Sequence, residues 1–430
     1  MAPFSFSALA PYLILFAALY SGFGVQSPYL PAFLGEHGLE PAAIGIVLAG
    51  GTAIKLVTGP VAGQVADRFD VARLVFAGCA IGAALAALFY VGAYGFWPLL
   101  AVALLQAAAL GPLAPLVDSL VLPAAAAATD ATGRAERPGS DSGSRFDSGP
   151  RFHDRPRFDD GPRFDYGTVR GTGSGAFILG SILSGEAVGI AGLGAAMWLN
   201  AGLLAAAALS VTRVRQLSRA AAAAMPPAAP YGGRPVGRHP GPRVGHDVGA
   251  LLRVPAFRRV MLVAALILGS HALHDGFAMI RWRAAGIAPG VTGLLWAESV
   301  AAEVVVFFAI GRPLLDRLGT GGAAMLAAAA GLVRWTVSAE TAALPALALI
   351  QPLHGLTFAL LHLACMRRLA ETVPPGLSAT ALTLYGTVAI GAASALLTLA
   401  SGALYGAIGP QGFWVMAALC AAALPAARRL

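Results

Sequence analysis

The chain has 430 residues, of which 57% are hydrophobic and 12% charged, with a formal net charge of +8. Soluble domains carry about 25% charged residues, so an ordinary soluble fold of this length is excluded. The positive sign sits on arginines between apolar runs, which is the pattern of a membrane-topology signal and not of a nucleic-acid surface.

The apolar runs are 18 residues or longer, such as Leu9–Leu34 and Leu74–Val91. About 20 residues at 1.5 Å each match the hydrocarbon thickness of a bilayer. Spans are expected at 8–34, 42–64, 73–93, 97–127, 168–191, 194–213, 257–285, 290–311, 321–338, 342–370, 378–405 and 411–427. Lipid cannot satisfy open backbone groups and no alternating barrel pattern is present, so the spans are helices. The first run has no basic segment ahead of it and no small-residue cleavage site behind it, and is read as a permanent span. Cys79, Cys365 and Cys420 all lie inside apolar runs, which argues against a disulfide framework.

With the N-terminus in the cytoplasm, Arg68, Arg73, Arg312, Arg317, Arg367, Arg368, Arg428 and Arg429 all fall on the inner side. So do the arginine-rich stretches 128–167 and 213–259, while Arg281, Arg283 and Arg334 are left near the opposite loops. The positive-inside rule then makes both termini cytoplasmic and the span number even. Residues 1–212 are expected to form a six-helix bundle with an insertion over 128–165, residues 213–256 a linker, and 257–430 a second six-helix bundle. The insertion repeats an Arg-Phe-Asp unit at Arg145-Phe146-Asp147, Arg157-Phe158-Asp159 and Arg163-Phe164-Asp165. It reads as a solvated loop, with lipid-headgroup or protein contact as the functional alternative.

An Asp-Arg pair closes the second span of each half: Gly63-Gln64-Val65-Ala66-Asp67-Arg68-Phe69-Asp70 and Gly311-Arg312-Pro313-Leu314-Leu315-Asp316-Arg317-Leu318-Gly319. Equivalent placement is the internal symmetry expected of two parallel halves. These segments resemble the loop signature of the major facilitator superfamily, although Asp70 stands where glycine is usual. The resemblance implies an all-α membrane fold of twelve helices in two pseudo-symmetric six-helix bundles. It also implies a conformational clasp formed by Asp67, Arg68, Asp316 and Arg317. Ser270-His271-Ala272-Leu273-His274-Asp275-Gly276-Phe277, Gly331-Leu332-Val333-Arg334-Trp335 and Gln351-Pro352-Leu353-His354-Gly355 resemble the phenylpropionate permease family. In the first half Pro28-Tyr29-Leu30-Pro31 and Tyr166-Gly167-Thr168-Val169-Arg170 do the same, with Thr172 in place of the usual Trp. Members of that family are transporters of the bacterial inner membrane, not enzymes.

Titratable groups inside spans cost about 2.5–3.5 kcal/mol each at a helix centre, so they usually face a cavity and mark a path for substrate or protons. Lys55, the only lysine, either pairs with a substrate carboxylate or is held by Asp118 or the headgroups. Asp118 is in turn a partner for Lys55, a proton acceptor or a structural ion-pair member. His271, His274 and Asp275 share one helical face. No further His, Cys or Glu lies close in sequence to complete a metal site, so proton handling or helix-to-helix hydrogen bonding is the expected role. Glu303 is a candidate to take and release a proton, or to bond His354 or His362. Tyr29, Phe277, Trp296 and Phe358 are candidates to line an aryl cavity.

The expected function is proton-coupled symport of a small organic acid by alternating access, with no cofactor and a monomeric carrier in the bilayer. Antiport of drugs or metabolites is the alternative, and a non-transporting sensor the more distant one.

Overall fold

The computed structural model describes residues 6–122, 166–214 and 244–430. The 128–165 insertion with its Arg-Phe-Asp repeat, and most of the 213–256 linker, lie outside the described residues. Ten continuous helical stretches are long and apolar enough to cross a membrane. Two of them, of 52 and 48 residues, far exceed the length that spans about 30 Å of hydrocarbon, and each folds back on itself. The reversals fall at Gly319 and Gly409, whose φ values of 67° and 58° lie in the region that glycine enters without a Cβ penalty.

Resolved at those turns, the described residues give twelve spans. They are α1 (Phe6–Gln26), α2 (Pro41–Phe69), α3 (Ala72–Gly92), α4 (Phe96–Leu122), α5 (Tyr166–Ala191) and α6 (Gly194–Ser210). They continue with α7 (Pro255–Ala284), α8 (289–318), α9 (320–340), α10 (Leu344–Thr372), α11 (378–408) and α12 (Phe413–Ala427). Proline opens α2, α7 and α8, where its fixed φ suits a helix start and its missing N–H would have had no partner. The first span, expected unbroken over 8–34, stops at Gln26 and resumes as a short helix over Leu30–Glu36. Pro28 and Pro31 each lack the amide hydrogen that a continuous helix would use.

The two Asp-Arg turns both end on a residue of positive φ but differ in ψ. Asp70 ends α2 with φ 54° and ψ 41°, a left-handed helical turn, whereas Gly319, at the equivalent sequence position after α8, has φ 67° and ψ 176°. Asp is among the few residues with a side chain that tolerate the left-handed helical conformation, which accounts for its standing in a glycine position. Three π-turns, at Val306–Ile310, Gly355–Leu360 and Tyr385–Ala392, interrupt α8, α10 and α11.

Within the first six spans α1 packs on α5 and α6, and α3 on α4 and α6; within the last six, α9 packs on α10 and α12, and α7 on α11 and α12. The two groups meet along α2 with α11 and α5 with α8. Both crossings depend on missing side chains: a Cβ on Gly45 would stand 2.8 Å from Gly402 Cα, and one on Gly293 2.7 Å from the Ser181 carbonyl. Small residues at helix crossings are what lets backbones approach in lipid. Large apolar side chains such as Trp97, Ile190 and Leu349 point outward, as the lipid face of a membrane protein requires.

One end of the molecule carries Arg68, Arg73, Arg213, Arg312, Arg317, Arg367 and Arg368, together with Arg428 and Arg429. At the other end three polar contacts tie the two groups of spans together. The Tyr29 hydroxyl donates to the Pro289 carbonyl at 2.8 Å and lies 3.1 Å from Thr292 Oγ1, and Arg283 pairs with Glu36 at 3.0 Å.

Candidate functional site

Beneath that closed end the two groups of spans enclose a cavity of about 490 Å³. The face of α2 that carries Leu48, Thr52 and Lys55 forms one wall, because positions three, four and seven apart lie together on a helix. Opposite stand Leu268, Ala272, Asp275 and Gly276 of α7. Lys55 is exposed to this space and has no hydrogen bond or ion pair among the described residues. Asp275 is 61% exposed at its side chain and receives one contact, from His274 Nδ1 at 3.4 Å. Asp118 forms no ion pair with Lys55; it lies near enough to Tyr20 to act on it electrostatically, and the Arg170 guanidinium lies over that ring at 4.8 Å.

Behind Asp275, within the last six spans, a second polar assembly is built around Arg334 of α9, which is fully buried. Its NH1 meets His354 Nδ1 at 2.8 Å, and its NH2 reaches Gln351 Oε1 at 3.1 Å and His274 Nε2 at 3.5 Å. Its guanidinium carbon also lies 4.6 Å from the centre of the Trp335 ring. His354 Nε2 contacts Glu303 Oε1 of α8 at 2.6 Å. A guanidinium only donates, so Nδ1 of His354 accepts, the ring proton sits on Nε2, and Nε2 donates to the Glu303 carboxylate. The same reasoning puts the His274 proton on Nδ1, facing Asp275. Arg334 is thus joined to two carboxylates, each through a neutral imidazole, one arm short and the other long. His271 completes the layer, its Nε2 2.9 Å from Thr357 Oγ1 and its ring edge-on to Trp335.

The structure therefore brings together His271, His274, Asp275, Glu303 and His354. It does not bring His362 into the assembly, since that ring faces the Tyr385 hydroxyl at 3.3 Å and Phe307. Nor do the expected aromatic residues form the cavity wall. Tyr29 closes the end of the molecule, Phe277 stacks on Tyr405 at 4.5 Å, Trp296 on His274 at 5.2 Å and Phe358 on His354 at 5.7 Å. The last three stack behind the wall, whose aromatic surface comes instead from Phe23, Tyr90 and Phe177. A sequence shows that an aromatic lies in a span, and not which way it faces.

Arg334 was expected near a loop, and this is corrected: it is the buried centre of the polar assembly. The available signal was its place inside the apolar run 321–338, where an unpaired arginine would be costly. At the arginine-rich end Asp316 pairs with Arg367 at 2.7 Å, not with Arg317. Asp67 and Arg68 make no ion pair with each other, and Arg68 lies over the Phe69 ring at 5.6 Å.

The model of the MFS_1-like family matches residues 9–136 and 160–416, nearly the whole chain. This chain belongs to the MFS_1-like family. The "Probable 3-phenylpropionic acid transporter" of Escherichia coli (strain K12) is 38% identical over 169 residues, 39% of this chain and 43% of that relative. The chain thus matches less than half the length of this curated relative. The solved nucleoside transporter NupG shares the fold with a TM-score of 0.76 at 16% identity, covering 98% of each chain. A bacterial homologue of the lysosomal transporter Spinster, in an inward-facing and unoccupied conformation, matches with a TM-score of 0.63 at 15% identity, over 100% of this chain and 93% of that one. Identities this low speak for the fold alone. Together they give this MFS_1-like protein the multi-pass membrane fold of the major facilitator superfamily.

Proposed function

We propose that this MFS_1-like protein is a proton-coupled symporter for a small organic acid of the aryl-alkyl carboxylate kind, acting as a monomer by alternating access in a bacterial inner membrane. The observation that carries this reading is Lys55: a lysine in the cavity between the halves with no partner among the described residues. An ammonium away from bulk water is stable only with a counter-charge, and a substrate carboxylate supplies it. The E. coli relative, named for 3-phenylpropionic acid, supports the same chemical class.

The proton site is the Glu303–His354 pair, held by Arg334 one layer behind the cavity wall. One proton taken up there with each anion leaves the charge of the loaded carrier unchanged, so the acid crosses without working against the membrane potential. The two Asp-Arg turns lie at the cytoplasmic side together with both termini, in keeping with the positive-inside distribution of arginine. The three polar contacts around Tyr29 and Glu36 then close the periplasmic side, and the cavity belongs to an inward-facing state.

Uptake of labelled 3-phenylpropionate into proteoliposomes, with and without an imposed pH gradient, tests the proposal. Accumulation that follows the gradient supports symport, uptake indifferent to the gradient refutes it, and gradient-driven efflux of preloaded acid replaces it with antiport. Lys55→Gln is expected to weaken the apparent affinity at least about tenfold, ~1.4 kcal/mol. Unchanged affinity removes Lys55 from the site.

A further inference from the structure

The polar groups of the cavity are not gathered around Lys55. Lys55 lies seven residues beyond Leu48 on the same face of α2, and a Cβ on Gly276, the neighbour of Asp275, would stand 3.6 Å from a Leu48 methyl. At 1.5 Å per residue, Asp275 is therefore about 10 Å farther toward the closed end than Lys55. Between the two levels α2 contributes Thr52, and the lining also carries the apolar side chains of Phe23 and Phe177. At the closed end Tyr90, two residues from the end of α3, is 1% exposed, lines the cavity, and has no hydrogen-bond partner for its hydroxyl among the described residues. The Tyr90 ring is buried while its hydroxyl opens onto the cavity, where a ligand can reach it. Asp275 likewise keeps most of its carboxylate open to the cavity, its one contact being the 3.4 Å approach of His274.

We infer that the cavity selects an elongated acid that carries a hydrogen-bond donor, hydroxyl or ammonium, at the end remote from its carboxylate, with Asp275 as the specificity-determining acceptor and Tyr90 beside it. This deepens the organic-acid reading and rests on it. The carboxylate meets Lys55, an aryl or alkyl body fills the stretch between, and the donor at the far end meets the open oxygens of Asp275. An acid without that donor leaves Asp275 and the Tyr90 hydroxyl with no partner once water is displaced, which is the arrangement by which sites reject analogues lacking a polar group.

The test is competition in counterflow, without a pH gradient, between labelled 3-phenylpropionate and three unlabelled acids. They are 3-phenylpropionate itself, 3-(4-hydroxyphenyl)propionate and 3-(4-aminomethylphenyl)propionate. At least one donor-bearing acid is expected to compete about tenfold or more better than the plain acid, and which one does so separates hydroxyl from ammonium. In Asp275→Asn the advantage is expected to shrink for the hydroxyl arm and to vanish for the ammonium arm, and Tyr90→Phe is expected to lower it in part. Equal competition by all three acids in the unaltered protein overturns the inference while leaving the organic-acid reading intact, whether or not either variant folds. An advantage that survives in Asp275→Asn undiminished also overturns it. Failure of every acid to compete overturns the organic-acid reading, and the inference with it.

Discussion

At Glu303 and His354 a short contact of 2.6 Å joins two side chains that are each at least 80% shielded from solvent. His354 cannot hold a second proton while its Nδ1 accepts from Arg334, so with that contact intact the proton of the pair goes to the Glu303 carboxylate. Glu303→Gln keeps the shape and removes the titration. It is expected to abolish accumulation driven by a pH gradient while counterflow stays within about threefold of the parent protein. Loss of both activities together would assign Glu303 a structural role. Arg334→Met leaves Glu303 and Asp275 without their shared cation. A buried charge stripped of its partner costs about 3–5 kcal/mol, and thermal unfolding in detergent should show that loss as a clear drop in Tm. The double change Arg334→Met with Glu303→Gln is expected to recover part of it.

At the scale of elements, the crossings of α2 with α11 and of α5 with α8 hold the closed end together through bare backbone. Gly402→Val places a branched side chain where 2.7 Å separates its Cβ position from Gly45 Cα, and neither helix can yield without parting from the other. The expected result is a carrier shifted toward opening at that end. A cysteine placed at Thr52 on the cavity wall should then react faster with a membrane-impermeant thiol reagent added from the periplasmic side, and an unchanged rate would refute the wedge. The Asp316–Arg367 pair makes a contrasting case. Both side chains are substantially exposed, so the bond is worth under about 1 kcal/mol and its loss in Asp316→Asn should change the same labelling rate less than about fivefold.

For the whole molecule, the sequence carried the number of spans, the two-part symmetry and the arginine-rich end, because hydrophobic length and charge position are written linearly. The reversals inside the longest helices fall in the gaps expected between spans, at 311–321 and 405–411, although the glycines that make them, Gly319 and Gly409, were not singled out. The site was legible in part. Lys55, Asp275, His274, Glu303 and His354 stood out because charge inside a span is costly wherever it points. Tyr29, Phe277, Trp296 and Phe358 did not behave as expected because aromatic residues are at ease on either side of a helix, and only packing decides. Arg334 was hidden by its closeness to a span end, where arginine is common. That Asp118 lies near Tyr20 and forms no ion pair with Lys55 depends on helix rotation, which no pattern of charges fixes.

The π-turns of α8, α10 and α11 are all in the last six spans, and two of them begin within three residues of Glu303 and His354. A π-turn spreads its backbone hydrogen bonds over a wider loop than the α-helix does and recurs at functional places. The amides of these turns are expected to trade hydrogen for deuterium sooner than those at the same depth in α2 or α5, although lipid surrounds both. Mass spectrometry of the exchanging protein would then show a soft belt across one half of the carrier and none across the other. In that case the second half would yield by flexing along its own helices, while the first turned as a stiff body.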